Sequence, residues 1–345
     1  MIKKIRIKNF KCYGPQGADF NLSKINFIFG DNSAGKSTFL QFLDKLYEVC
    51  NLEGKCDSDR LDKYLYKHQE GDISAKLRVS EDCGLAPIVD IWDFKKSNSG
   101  EYTLTDSKGN FVGLDMLGKI LPVKNQSHFV HVVANRKNAV QEISTPKSSL
   151  EKGFEKLVND ELMCEERDGV NQILNRLGVP YSCVIEDSSR NIDRTMIHDG
   201  DFDIDLPRSE VGTGIDGLIE LAMTLNSWSG GMLALEEPET NVNEEQMAAL
   251  AKVLVEEALK REKGQLIVEC HSKIMALQLV ELVRRKQLVY HGNGDDSHLN
   301  IFVAQKSSDG TCIKEVKIDT NGDVNWPRGF FPAEGKLLRA SYGIL

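Results

Sequence analysis

Gly30-Asp31-Asn32-Ser33-Ala34-Gly35-Lys36-Ser37 spells a complete G-x-x-x-x-G-K-S phosphate-binding loop. The chemistry this spacing permits is the grip of a nucleoside triphosphate. Its glycines let successive backbone N–H groups curl around a β-phosphate at a helix N-terminus, where the helix dipole also favours anions. Lys36 is then placed to neutralise the β- and γ-phosphates and Ser37 to hold Mg²⁺, with Thr38 closing the candidate nucleotide-binding segment.

Two further runs carry reactive side chains. Met232-Leu233-Ala234-Leu235-Glu236-Glu237-Pro238-Glu239 reads as a buried strand ending in paired carboxylates, a Walker B pattern. Its apolar residues bring Glu236 to the carboxyl edge of a parallel sheet, where nucleotide loops gather, so Glu236 is the expected second metal-holding residue beside Ser37. Glu237 sits at the strand's exit, points differently, and is the expected general base for an attacking water. Gln265-Leu266-Ile267-Val268-Glu269-Cys270-His271-Ser272 is another apolar strand, and it ends on a histidine at the mouth of a helix. His271 can reach a γ-phosphate there, although a histidine in isolation at such a place is usually a cap or surface residue.

The elements that must position these groups are readable around them. Residues 24–29 form an apolar, β-rich run before the loop, and Phe39, Leu40, Phe42, Leu43 and Leu46 recur at helical spacing after it. Strands are expected near 2–9, 24–29, 265–269, 287–291 and 299–304, with helices over 217–225, 243–262 and 272–286. This alternation predicts a parallel core with helices on its faces. At 345 residues, 41% hydrophobic and 28% charged, the chain has ample material for a core. Met1 to Phe10 lack the apolar stretch of a signal peptide and no segment offers a long uncharged run, so neither a leader nor a membrane span is expected. The eight cysteines are scattered without a C-x-x-C pair or a nearby Cys/His cluster, which points to a reducing cytoplasm rather than zinc or disulfides. A net charge of −9 speaks against a uniformly basic nucleic-acid binder.

Taken together, G-x-N-x-x-G-K-S, the E-E-P-E ending and the H-S ending resemble the ABC-type ATPases related to SMC, RecF and the OLD family. By that resemblance, the position of His271 one helix beyond Walker B is that of a switch histidine, which makes it a candidate catalytic residue with Glu237. More narrowly, the chain resembles the AAA/ABC-type ATPases common in bacterial and phage-defence operons. The opening Ile2-Lys3-Lys4-Ile5-Arg6-Ile7-Lys8-Asn9-Phe10-Lys11 is similar to the first strand of that superfamily. Asn325-Trp326-Pro327-Arg328-Gly329-Phe330-Phe331 is similar to a C-terminal W-P-x-G-F-F signature found in part of the group. The resemblance implies an α/β P-loop NTPase, an ABC-type ATPase head with an antiparallel β lobe and a short helical insertion. Residues 1–50 and 205–345 would make the nucleotide-binding head, and 51–204 the inserted β lobe and helical lobe.

ABC-type heads hydrolyse nucleotide between two copies, so the resemblance also implies a signature segment that reaches the partner's γ-phosphate. Ser209-Glu210-Val211-Gly212-Thr213-Gly214-Ile215-Asp216 is the candidate, because Gly212 and Gly214 permit close backbone approach at a helix N-terminus just before Walker B. It departs from the transporter-type L-S-G-G-Q and is closer to a V-G-x-G-x-S variant, with Asp216 where serine is usual. Residues 238–243 stand where such heads carry a dimer-contacting D-loop, and their asparagines are also expected to cap the next helix. Gln126 or Gln141 would link the Mg²⁺ to the helical lobe, and spacing does not choose between them. Arg136 could sense nucleotide or make a structural salt bridge.

Within the insertion, 73–80, 88–94, 101–105 and 128–134 alternate as strands of the antiparallel lobe. Residues 148–177 carry Leu150, Phe154, Leu157, Leu162, Val170, Ile173, Leu174 and Leu177 at helical intervals, too short for an SMC-type heptad arm. By resemblance, the cofactors are ATP and Mg²⁺, and the activity is ATP hydrolysis in a homodimer or higher homo-oligomer. The head would regulate or scaffold a separate nuclease or toxin in anti-phage defence, with nucleic acid met through that effector and no membrane partner. The chain stops soon after its last head strand, so no TOPRIM nuclease is expected on it. A RecF-like DNA-binding repair ATPase and a nucleotide-gated scaffold with little turnover remain the alternatives.

Overall fold

Every residue from Ile25 to Phe29 is buried, and because neighbouring side chains of a strand face opposite ways, β3 (Ile25–Gly30) must be covered on both sides. The computed structural model describes residues 1–66, 71–81, 88–116, 129–133, 164–186, 194–290, 297–319, 322–328 and 330. In it β3 lies inside a six-stranded sheet whose spatial order is β15 (Gly310–Val316), β14 (Leu299–Ser307), β3, β13 (Gly264–Cys270), β12 (Gly231–Glu236) and β8 (Phe129–Val133). All pairings from β14 to β8 are parallel, and β15 alone runs antiparallel. Such a sheet is buried on both faces, which is why its central strands read as continuous apolar runs rather than alternating ones.

A second six-stranded sheet is antiparallel, ordered β2 (Ala18–Asn21), β1 (Ile2–Lys8), β5 (Ser74–Glu81), β6 (Ile88–Lys96), β7 (Tyr102–Thr105) and β4 (Lys55–Cys56). Helix α1 (Lys36–Asn51) lies between the two sheets. Its Phe39, Leu40, Phe42, Leu43 and Leu46 share a core with Ile5 and Ile7 of one sheet and with Ile28, Ala234 and Ile267 of the other. Burial of each such side chain is worth about 1.5–3 kcal/mol. The intervening residues Phe27, Phe29, Leu233, Leu235, Leu266 and Val268 face the opposite core. There they meet α2 (Cys164–Arg176), α3 (Thr213–Ser227), α4 (Glu244–Lys260) and α5 (Lys273–Arg284). A small antiparallel sheet, β9 (Tyr181–Glu186), β10 (Arg194–Asp199) and β11 (Ile204–Pro207), follows α2.

Several expectations are corrected. The strand expected at 128–134 in the antiparallel lobe instead pairs parallel to Walker B, with Val133 opposite Glu236. Its F-V-H-V-V composition is that of a parallel-sheet strand, and the local alternation that suggested the lobe was a weaker signal. Residues 287–290 form no strand, and β14 is instead extended by the hairpin partner β15. β1, expected in the nucleotide-binding head, pairs antiparallel with β2 and β5. Gln126, Arg136, Gln141 and residues 148–163 lie outside the described residues, so the expected helix over 148–177 is represented by α2 alone.

Helix α4 and the C-terminal end of α3 are tied by one charged cluster. Glu257 is 3% exposed and accepts from Arg176, Lys260 and Arg261, while Arg261 also donates to the carbonyls of Leu225 and Trp228 at 2.6 and 2.7 Å. Burial opposes the charge on Glu257, but the hydrogen bonds from Lys260, Arg176 and Arg261 outweigh it and hold the carboxyl at about 2, below its ordinary 4.5. A depressed carboxylate contributes stability that is full above its unfolded value and lost as pH falls through the folded one. Glu257→Gln removes the carboxylate that Arg176, Lys260 and Arg261 share and should therefore cost about 3 kcal/mol at pH 7. In urea unfolding, the gap to wild type should narrow as pH drops from 4.5 toward about 2.

Candidate nucleotide-binding site

The carboxyl ends of β3, β13 and β12 lie side by side, and the chain leaves each of them with a functional segment. From β3 it enters the loop through Gly30, whose φ of 148° is open to glycine and rare for other residues. A side chain there would run into the Ala304 carbonyl. Gly35, at φ 97°, is the N-cap of α1, and a Cβ on it would stand 2.6 Å from the Thr311 hydroxyl. Outside the loop, the Tyr13 hydroxyl donates to the Gly35 carbonyl at 2.8 Å and the Thr311 hydroxyl to the Ala34 carbonyl at 2.9 Å. Both supports are buried, and both lie outside the motif that defines the loop in sequence. They fix the Gly35 and Ala34 carbonyls, while the Ala34 N–H donates to the Asp31 carbonyl at 3.1 Å and closes the turn.

Lys36 is 2% exposed; its Nζ donates to the Asp31 carbonyl at 3.1 Å and lies 3.8 Å from a Glu269 oxygen. Burial lowers its pKa, and Glu269, Glu237 and Glu239 work against that shift. The Ser37 hydroxyl donates to Glu269 Oε1 at 2.8 Å. Glu269 is 1% exposed, and burial raises its carboxyl to about 7 despite the Ser37 hydrogen bond, with Glu236 adding to the rise. Glu236 is Glu269's neighbour in register across β12 and β13. The carboxylate in contact with Ser37 is thus Glu269, which the motif pattern passed over. Its signal was a charged residue inside a strand whose seven residues are all buried.

Glu237 takes the left-handed conformation, φ 48°, and its N–H bonds the Glu269 carbonyl at 2.9 Å. This twist at the strand exit brings its carboxylate 2.9 Å from His271 Nε2, both side chains remaining partly exposed. Glu239 is buried and accepts from the His271 backbone N–H, which anchors the histidine loop to the segment after Walker B. Ser272 and Asn243 cap α5 and α4, accepting from the N–H groups of Met275 at 3.2 Å and Gln246 at 2.8 Å. Glu237, Glu269 and His271 present ligand atoms within 4.8 Å of one another. Hydroxyl and carboxylate oxygens dominate the donor set beside the loop, a chemistry suited to Mg²⁺. Ser37 and Glu236 are the residues that would hold it.

The signature candidates sit elsewhere. Gly212 is the N-cap of α3 and a Cβ added to it would meet nothing within 4 Å among the described residues, whereas one on Gly214 would run into the Asn241 carbonyl. Signature and D-loop candidates therefore pack on each other. Asp216 is bonded by Arg208, which also donates to Glu220 at 2.6 Å. At the other end of the chain, Phe330 packs edge-on to Phe29 at 6.0 Å and stacks with Trp326 at 4.8 Å. Part of the C-terminal motif thus buttresses the strand that leads into the loop; Gly329 and Phe331 lie outside the described residues.

Comparison with known proteins agrees with this architecture. A family model described as AAA ATPase domain matches residues 1–108. No curated protein matches the chain. Among solved structures, the SMC head domain from Thermotoga maritima superposes with a TM-score of 0.55 at 15% identity, covering 92% of this chain and 99% of that one. An Smc head bound to the C-winged helix domain of ScpA gives 0.60 at 11% identity, covering 92% and 98%. An Smc head with an extended coiled coil bound to the C-terminal domain of ScpA, derived from Pyrococcus furiosus, gives 0.58 at 13%, covering 100% and 99%. Among the described residues no helix is long and apolar enough to cross a membrane. The chain has the α/β fold of an SMC-type P-loop ATPase head, with the AAA ATPase domain match over its first 108 residues.

Proposed function

We propose that this protein binds Mg-ATP at residues 30–38, hydrolyses it with Glu237 and His271, and closes into a homodimer around the nucleotide. The observation that carries the reading is the 2.9 Å pairing of Glu237 with His271 at the sheet edge that also bears the phosphate-binding loop. When nucleotide enters and the pair separates, the carboxylate can take a proton from water and the freed imidazole N–H can donate toward a γ-phosphate oxygen. When bound, Mg²⁺ would supply charge neutralisation between the phosphates. The chain's own residues hold the loop, orient Ser37 and aim the base. Catalysis would be electrostatic positioning without a covalent intermediate. Six described cysteines, Cys12, Cys50, Cys56, Cys183, Cys270 and Cys312, are free thiols, in keeping with a cytoplasmic setting.

The head dimer is supported by Gly212, where a Cβ would meet no described atom of its own chain within 4 Å; an approaching partner phosphate would need that space. The resemblance to defence-operon ATPases supports a role in which the dimer regulates or scaffolds a separate nuclease or toxin. The Smc heads solved with ScpA domains are relatives in fold that bind a second protein. A nucleotide-gated scaffold is the second reading, favoured by Asp216, whose carboxylate is already engaged by Arg208. The test is the solution mass of Glu237→Gln with and without Mg-ATP, by size exclusion with light scattering. Doubling of mass on adding ATP is expected; a protein that binds ATP without any gain of mass would sink the dimer. Gly212→Ala should bind ATP normally yet lose the doubling. Gly214→Ala should instead lower the melting temperature of the protein alone, because its methyl meets the Asn241 backbone.

A further inference from the structure

Glu269 is a charged group buried in the middle of the parallel sheet. It lies in the middle strand between the phosphate-binding strand and Walker B, paired in register with Ile28 on one side and Glu236 on the other. It is 1% exposed, and its two oxygens are used unequally. One accepts from the Ser37 hydroxyl at 2.8 Å and lies 3.8 Å from Lys36 Nζ. The other, Oε2, is buried and has no hydrogen-bond partner among the described residues. A buried carboxylate oxygen without a partner costs several kcal/mol unless something of positive charge or a donor meets it.

The charge at this position interrupts a buried, largely apolar strand. A leucine or valine in its place would continue the run Leu266, Ile267, Val268, all fully buried. What the carboxylate does is accept the proton of the Ser37 hydroxyl. A hydroxyl that donates to a fixed carboxylate turns its lone pairs away from it, and those lone pairs are the part of Ser37 that a cation can use. The orphaned Oε2 supplies a second oxygen beside the first, and Glu236 a third group across the strand pair.

We propose that Glu269 is a metal-site residue of this protein: it orients Ser37 and offers its free oxygen to the divalent cation that accompanies the nucleotide, so that the cation depends on Glu269 as well as on Glu236. The inference rests on the proposed nucleotide-binding function and deepens it. Ser37 and two carboxylates make an all-oxygen set of the kind hard cations take, with room for water and phosphate oxygens in the remaining positions. His271 stays outside this set, occupied with Glu237 at 2.9 Å.

The test separates metal binding from nucleotide binding. A fluorescent ATP analogue is titrated into wild type, Glu269→Gln, Glu269→Asp and Glu236→Gln in EDTA, then Mn²⁺ is added at fixed nucleotide, with bound Mn²⁺ counted by electron paramagnetic resonance. Glu269→Gln should raise the Mn²⁺ concentration at half-saturation by about ten- to a hundredfold, with nucleotide affinity in EDTA unchanged or tighter. Glu269→Asp, which keeps the charge on a shorter arm, should fall between the two and serves as the readout if the glutamine variant does not fold. An unchanged Mn²⁺ midpoint in a folded Glu269 variant, or a shift in Glu236→Gln alone, overturns the proposal. If wild type itself fails to bind the analogue in EDTA and in Mn²⁺, it is the nucleotide-binding function that falls, and the inference with it.

Discussion

Glu237→Gln should slow steady-state ATP turnover by roughly a hundredfold or more, the usual contribution of a positioned general base, while nucleotide affinity stays within about twofold of wild type. Three features of Glu237 carry this expectation. Its left-handed φ of 48° turns the side chain out of the sheet's alternation. Its backbone N–H is fixed on the Glu269 carbonyl at 2.9 Å, so the turn is built into the strand pair. Its carboxylate meets His271 Nε2 at 2.9 Å, which gives the imidazole a defined orientation. The amide of glutamine keeps the size and a hydrogen bond to His271 but cannot take a proton from water. Phosphate release under saturating Mg-ATP measures turnover, and equilibrium titration measures affinity. Turnover within about threefold of wild type would remove Glu237 from the chemistry and favour the nucleotide-gated scaffold.

Lys36→Ala acts on binding. Each charge-assisted hydrogen bond to a phosphate is worth about 1.5–3 kcal/mol, so losing the lysine should weaken ATP binding on the order of a hundredfold. Its surroundings hold the lysine beside the loop, since it is 2% exposed and rests on the Asp31 carbonyl at 3.1 Å, with Glu269 at 3.8 Å. Its removal also takes away the cation beside the buried Glu269 carboxyl, whose pKa should rise further, since Lys36 now lowers it. At pH 7 that carboxyl would then bind a proton and keep its hydrogen bond to Ser37, so thermal stability should change little. Fluorescent-nucleotide titration with a melting curve on the same sample separates the effects. Wild-type affinity in a folded Lys36→Ala protein would place the triphosphate elsewhere.

The groups that lie close together along the chain were legible in the sequence. The phosphate-binding loop, the helix after it, the carboxylate pair at the end of β12 and the histidine at the end of β13 are local patterns. Strand, turn and helix there follow from residue type and spacing within a short stretch of chain. The cap at Asn243 belongs to the same class, since its side chain bonds the N–H of Gln246.

What only the tertiary structure decided concerns partners far apart in the chain. Ser37 and Glu269 are separated by 232 residues, and which acid reaches the loop depends on β13 inserting between β3 and β12, a choice no local pattern records. Tyr13 and Thr311 hold the same loop from nearly opposite ends of the chain, for the same reason. Strand β8 was read by its alternation, yet its place beside Walker B rests on parallel backbone pairing with β12, a segment far along the chain. The sequence by itself determined which side chains could do chemistry at the ends of the strands. Strand order determined which of them meet, because hydrogen bonds and ion pairs depend on distances in space that spacing along the chain does not set.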